Sequence, residues 1–348
     1  MSSHILIKRI LLVVLVILLL LGIKGYGIYK KAFRRNFALK ENHAPYIYIK
    51  TGADFNDVLN ALEESGTIKN LKSFDWTADR KKYKNHIYPG RYKLNKFMNN
   101  NELINLLRSG RQTPVNVTFS NIRTLDELAF IVSGQIEADS GAIMQLLRNE
   151  DFLEQHGFNQ YTIPGMFIPN TYEFYWNTSA KEFFLRMEKE YHAFWNADRT
   201  TKAEEMHFTK NEVITLASIV KEETLMPEER KKIAGVYMNR LQKGIRLQAD
   251  PTIRFALGDF SIRRVLKKQL WVDSPYNTYR YDGLPPGPIS IPSIGAIDAV
   301  LNYERNDYLY FCAKPDFSGY HNFAKTLAQH NKNARLYQRA LNRRKILN

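Results

Sequence analysis

Asn56-Asp57-Val58-Leu59-Asn60-Ala61-Leu62-Glu63-Glu64-Ser65-Gly66 decides how the first third of the chain is read. Val58, Leu59 and Leu62 recur at helical spacing, and Gly66 stands where a helix ends in a left-handed residue. The pattern returns in Asn101-Glu102-Leu103-Ile104-Asn105-Leu106-Leu107-Arg108-Ser109-Gly110. Strand-like runs flank the two helices at Tyr46–Ile49, Gly90–Leu94 and Val115–Phe119. Two strand-helix halves predict a small α+β module over residues 44–119. Such a module either binds a partner or acts as a spacer, and the residues leave both open.

Upstream, Ile10 to Ile23 is uncharged and almost wholly Leu, Val and Ile. With Ile5–Ile7 added, and Lys8 and Arg9 tolerated near the end, the run reaches about 19 residues, close to a bilayer span. No small-residue cleavage site follows it: Lys24-Gly25-Tyr26-Gly27-Ile28-Tyr29-Lys30-Lys31 comes next, and the first alanine is Ala32. Residues 1–43 therefore read as an uncleaved single-pass transmembrane anchor with a basic juxtamembrane segment. Lys8 and Arg9 flank one side of the span; Lys24, Lys30, Lys31, Arg34 and Arg35 flank the other. A positive-inside count alone would put the bulk of the protein in the cytoplasm.

The 348 residues are 44% hydrophobic and 24% charged, which excludes a disordered chain or a repetitive fibre. Fifty Lys and Arg face 35 Asp and Glu, a net charge of +15 that favours an anionic partner. Part of that charge lies beside the span, where lipid phosphates account for it. Neither zinc-finger spacing nor a Gly-rich phosphate loop is present, so a nucleic-acid partner is not expected. The one cysteine, Cys312, excludes a disulfide framework and a Cys-based zinc site. Its surroundings, Tyr308–Ala313, read as a buried strand rather than a reactive thiol site.

Residues 120–348 read as one further domain, with a helical lead-in to about residue 210 and the chemistry in 211–331. Thr124 and Glu127 have capping-box spacing. Gly165–Trp176 is an aromatic-rich loop; aromatic faces suit sugar rings, but such clusters more often serve as core. Asn211–Thr224 has helical periodicity and ends in two carboxylates. Glu223 follows Leu216 by seven, Ile219 by four and Val220 by three, so it shares their apolar face. Glu222 follows Thr215 and Ser218 and falls toward the polar face. Apolar neighbours raise a carboxyl's pKa and fit it for general-acid work. An ordinary ion pair at a helix end remains the competing reading of Glu223.

A second helix opens at Pro227-Glu228-Glu229-Arg230 and stops at Gly244. Arg240 lies on its apolar side, where a guanidinium calls for an acidic partner or a bound anion. Gln248–Thr252 reads as a polar turn. Gly283–Pro288 places three prolines and two glycines in six residues, so Tyr276–Ile289 is a rigid loop rather than a helix or central strand. His321 and His330 lack the spacing of a metal site, and no Gly-x-Ser-x-Gly elbow is present.

Leu216–Thr224, Glu229-Arg230, Gly235–Leu241, Leu247–Thr252, Tyr276–Tyr279, Gly283–Ile289 and His330-Asn331 closely resemble the endolytic murein transglycosylases, the YceG-like family, in order and spacing. The resemblance implies an α+β fold with a LysM-like module over 44–119 and a YceG-like catalytic domain over 120–348. It implies non-hydrolytic cleavage of the β-1,4 bond between N-acetylmuramic acid and N-acetylglucosamine in nascent strands. The implied products are 1,6-anhydro ends, which would terminate elongation. Glu223 matches the family's catalytic acid, and no metal or organic cofactor is implied. Asn239, Arg240, Gln248, Asp250, Tyr276, Asn277, Tyr279 and His330 become candidates for holding glycan or orienting Glu223. The family pattern has carboxylates where this chain has Asn170 and Gln329, and its acid-Lys pair is inverted in Lys221-Glu222. The implied partners are peptidoglycan glycan strands, the membrane and penicillin-binding synthases. The implied location is the cytoplasmic membrane with the catalytic domain outside, against the positive-inside count. The rival expectation is a non-catalytic peptidoglycan-binding scaffold in which Glu223 is structural.

Overall fold

A computed structural model describes residues 3–38, 46–262 and 264–344. Helix α1 (Ser3–Ala32) is long and apolar enough to cross a membrane, and its Leu, Ile and Val side chains are exposed. It is compatible with a single-pass anchor. The expected boundary at 43/44 lies outside the described residues. The chain divides into two compact units, residues 1–116 with 173–178, and residues 117–172 with 179–348.

In the first unit, strand β1 (Tyr46–Ile49) leads into α2 (Phe55–Glu64), α3 (Leu71–Arg80), strand β2 (Gly90–Lys93) and α4 (Asn100–Ser109). Capping boxes start α2 at Asp54 and α4 at Asn99, each two residues ahead of the repeated motif. β1 and β2 pair antiparallel, with Ile47 opposite Tyr92. Ile47 and Ile49 point into a core shared by Val58, Leu62, Phe74, Tyr92 and Leu103. The two strand-helix halves are β1 with α2 and β2 with α4. α3, which the repeat did not announce, joins α2 between the paired strands, and α4 follows them.

Strand β3 (Val115–Phe119) instead pairs with a strand from the segment read as an aromatic loop. After β3 come α5 (Leu125–Ser133), α6 (Ser140–Leu147), α7 (Glu150–Gln155) and then that strand, β4 (Asn170–Phe174). Tyr172 and Phe174 alternate inward and are buried, as is Phe167, so most of this cluster serves as core. α8 (Ala180–Phe194) and α9 (Ala197–Glu205) complete the helical lead-in.

Helix α10 (Lys210–Glu223) is the centre of the second unit. α11 (Arg230–Gln242), α12 (Asp250–Leu257) and α13 (Ile294–Leu301) all pack against it. Every residue from Val213 to Val220 is buried. The polar face expected through Thr215 and Ser218 is therefore interior, because helices surround α10 rather than cover one stripe of it. The polar turn expected at Gln248–Thr252 is also corrected: α12 begins at Asp250. Pro251 lies in its first turn, where a missing N–H costs nothing. Strands β5 (Tyr310–Ala313) and β6 (His321–Ala324) form an antiparallel pair, followed by α14 (Leu327–Arg343). β5 is half-buried, not buried as expected.

The Pro-rich loop is pinned to α10. Ser218 Oγ donates to Thr215 O at 2.7 Å and accepts the Ile289 N–H at 3.0 Å. At Gly287 a Cβ would sit 1.9 Å from Tyr161 O, so only glycine allows the close approach. Ser218→Ala leaves the Ile289 N–H buried without an acceptor and is expected to cost about 1–3 kcal/mol. A denaturant midpoint equal to wild type would contradict that role for the hydroxyl.

Candidate active site

The last residue of α10, Glu223, opens into a cavity of about 370 Å³. Its walls come from α11 (Tyr237, Arg240), the 247–250 segment (Gln248, Asp250), Tyr279, β5 and β6, and His330 of α14. Glu223 as a residue is half-buried, but its carboxyl is surrounded by protein. That burial pushes it up to about 7. The Asp250 charge adds to the rise; the Tyr237 hydroxyl and the Arg254 and Arg240 guanidiniums oppose it. Tyr237 Oη donates to Glu223 Oε1 at 2.5 Å. Burial, then the Glu223 charge, hold the Tyr237 phenol well above its ordinary range, so it remains a donor.

Glu222, one residue earlier, is also half-buried but lies 3.7 Å from Lys221 Nζ and does not line the cavity. The partners, more than the helix wheel, distinguish the two acids.

Of the acidic partner or bound anion expected for Arg240, no acidic partner is hydrogen-bonded to it among the described residues. Its Nε donates to Leu309 O at 2.6 Å, and its Nη1 to Arg246 O at 3.1 Å and Leu247 O at 2.8 Å. Three main-chain carbonyls thus hold Nε and Nη1 and tie α11 to two cavity walls. Its charge also works with burial to lower the His330 pKa, although burial is the larger cause. His330 stacks on Tyr310 with ring centroids 5.3 Å apart. Tyr279 Oη donates to Asp250 Oδ1 at 2.5 Å, making Asp250 a second carboxylate in the cavity.

The comparison with known families decides the relationship. A model of the YceG-like family matches residues 47–336. The chain belongs to the YceG-like family. It is 31% identical over 304 residues to a Bacillus subtilis protein named endolytic murein transglycosylase, covering 82% of each chain. A Streptococcus pneumoniae protein of the same name is 30% identical over 350 residues. That match takes in 89% of this chain and 62% of the streptococcal one. The crystal structure of a putative YceG-like protein from Listeria monocytogenes superposes with a TM-score of 0.55 at 29% identity. The superposition covers 82% of this chain and 98% of the other.

Of the YceG-like site residues expected from sequence, Glu223, Arg240, Gln248, Asp250, Tyr279 and His330 meet around one cavity. Asn239, Tyr276 and Asn277 do not line it. Asn239 Nδ2 donates to Asn306 O at 2.7 Å and Tyr308 O at 2.9 Å, holding the approach to β5. Asn277 is fully buried and donates to Leu270 O at 3.0 Å and Val272 O at 2.8 Å, closing its own loop. Tyr276 packs on Phe255 at 4.6 Å and lines a different cavity of about 290 Å³. Asn170 opens β4, and Gln329 Oε1 accepts the Lys325 N–H at 3.3 Å near the start of α14; neither lines the Glu223 cavity.

Tyr237 and His321 are among the cavity residues that the sequence reading did not offer as site candidates. Tyr237 passed as an apolar helix position, and its seven-residue-plus-seven offset from Glu223 crosses a helix break. His321 lines the cavity, while Glu229 grips it from behind: Oε2 lies 2.7 Å from Nδ1, and Oε1 accepts the His321 main-chain N–H at 2.9 Å. The pairing of Glu229 with His321 spans 92 positions, so no local pattern announces it. Cys312 also lines the cavity, and burial pushes its thiol up, away from thiolate chemistry. Among the described residues, no group of three or more His, Cys, Asp and Glu forms a metal site.

Proposed function

We propose that the protein is a peptidoglycan lytic transglycosylase with Glu223 as its acid. The observation that carries the reading is the Glu223 carboxyl, raised to about 7 and hydrogen-bonded by Tyr237 in an open cavity. An acid with this pKa holds its proton near neutrality and gives it up readily. Glu223 protonates the oxygen leaving from the β-1,4 bond between N-acetylmuramic acid and N-acetylglucosamine. Its carboxylate then takes the proton of the C6 hydroxyl as that oxygen attacks the anomeric carbon, closing a 1,6-anhydro ring. The substrate supplies its own nucleophile, so a protein nucleophile is unnecessary. Arg240, Gln248, Asp250, Tyr279 and His330 hold or orient glycan; Asn239, Tyr276 and Asn277 act as loop supports.

The names carried by the Bacillus and Streptococcus relatives support the substrate. α1 then anchors a catalytic domain (120–348) that faces the wall, and the 44–119 segment serves as a LysM-like glycan module. Cleavage of nascent strands near penicillin-binding synthases would terminate their growth. Asp250 supports a second reading, in which two carboxylates direct water to the sugar as in hydrolases. Incubating the full chain with purified peptidoglycan separates the readings by product mass. Anhydro ends support the transglycosylase; ends heavier by one water support the hydrolase. Binding without product supports a scaffold.

Glu229→Gln tests the support behind the cavity. The amide cannot accept from both the ring and the main chain of His321, so β6 shifts at the cavity wall. Activity is expected to fall on the order of 10²-fold through misplacement, with the melting temperature measured alongside. Unchanged kinetics would remove His321 from the working site.

A further inference from the structure

The first unit contains a larger cavity, of about 1000 Å³, where α1 meets α3. Its basic lining includes Lys30, Lys31, Arg34, Arg35, Lys69 and Lys72. Among the described residues lining it, these cations and Lys84 make seven against two acids, Asp75 and Asp79, and Lys84 is paired with Asp75 at 2.7 Å. Like charges gathered around one concavity repel each other unless an anion enters. The walls are held by other interactions. Asn100 Nδ2 donates to Lys31 O at 2.8 Å, and Asn36 Nδ2 donates to Asn100 Oδ1 at 2.7 Å. Asn36 Oδ1 accepts the Asn70 N–H at 2.9 Å. Asn36 and Asn100 are buried, so the end of α1 is fixed to α3 and α4 before any ligand arrives.

The height of the cavity on α1 identifies the ligand's compartment. The uncharged run ends at Ile23, and Gly27 and Lys31 of the cavity lie four and eight residues beyond it. At about 1.5 Å per residue this is roughly 6–12 Å past the hydrocarbon edge, the depth of the lipid headgroups. Trp76, a residue type suited to that layer, lines the cavity beneath Lys31 Nζ, 4.8 Å from its ring centroid.

We propose that this cavity binds the phosphate headgroup of a membrane lipid, and that a diphosphate-linked lipid fills it best. A diphosphate carries more charge than a phosphodiester in the same small volume and neutralises more of the excess cations. The proposal does not depend on the chemistry at Glu223.

The test uses the full chain in phosphatidylcholine nanodiscs doped equally with phosphatidylglycerol and a polyprenyl diphosphate. Lipids retained by the protein are counted by native mass spectrometry. Wild type is expected to keep the diphosphate lipid on the order of tenfold over either phospholipid. The variant K30Q/K31Q/K69Q/K72Q is expected to lose that excess. A control, K332Q/R335Q/R339Q/R343Q on α14, removes the same charge elsewhere and is expected to keep it. Equal retention by the cavity variant, or equal loss in the control, overturns the site. Phosphatidylglycerol held as well as the diphosphate lipid overturns the headgroup assignment, and inorganic pyrophosphate bound more tightly than the diphosphate lipid assigns the cavity to a free anion instead.

Discussion

Glu223→Gln is expected to lower peptidoglycan cleavage by about 10²–10⁴-fold, the usual contribution of a general acid, while Glu222→Gln keeps most of the activity. The amide keeps the size of the carboxyl and its oxygen still accepts from Tyr237 Oη, so the cavity retains its shape. What is lost is the transferable proton. Glu222 lies beside Lys221 and does not line the cavity, so neutralising it changes only a local ion pair. Stability separates this outcome from damage to the fold. The Glu223 carboxyl is raised from 4.5 to about 7 on folding, so the folded state holds its proton more tightly than the unfolded state. Wild-type stability therefore falls as pH rises from about 4.5 to about 7, and the deficit persists above it. Gln has no such deficit, and the variant is expected to melt at or above the wild-type temperature at pH 8. Full activity in Glu223→Gln would remove it as the acid; a lower melting temperature at pH 8 would contradict its buried, raised carboxyl.

The legible parts of the molecule were those written in local sequence. Apolar spacing and a terminal glycine marked α2 and α4, an uncharged run marked α1, and prolines marked the 283–288 loop. Glu223 was singled out for its apolar neighbours, and its carboxyl is indeed raised by burial. The wheel argument misjudged the surroundings, because a helix packed on all sides has no solvent face to compare. β4 was illegible since its partner β3 lies about fifty residues upstream, and pairing, not composition, makes it a strand. Arg240 was expected to need an acidic partner or a bound anion; main-chain carbonyls of Leu309, Arg246 and Leu247 take up its Nε and Nη1 donors, and no side-chain pattern records them. Asn239 and Asn277 match the family's motifs yet bind main chain, so a motif position alone does not distinguish a substrate contact from a loop support.

The rate of glycan cleavage is expected to hold up to about pH 7 and then fall about tenfold per pH unit as Glu223 loses its proton. Two neighbours move this limb in opposite directions. The Tyr237 hydroxyl donates to Glu223 and stabilises its ionised form, so it holds the carboxyl lower than burial alone would. Tyr237→Phe removes that donor and is expected to move the limb up by about one pH unit. At pH 8.5 the variant then retains a larger share of its own maximal rate than wild type does. Asp250 acts through charge and raises Glu223, so Asp250→Asn is expected to move the limb down. Profiles of kcat against pH for the three proteins give the signs directly. Tyr237 touches Glu223 and Asp250 reaches it through space; a structural role for either would lower the rate at every pH without moving the limb. Shifts of the same sign in both variants would mean that another group controls the alkaline limb.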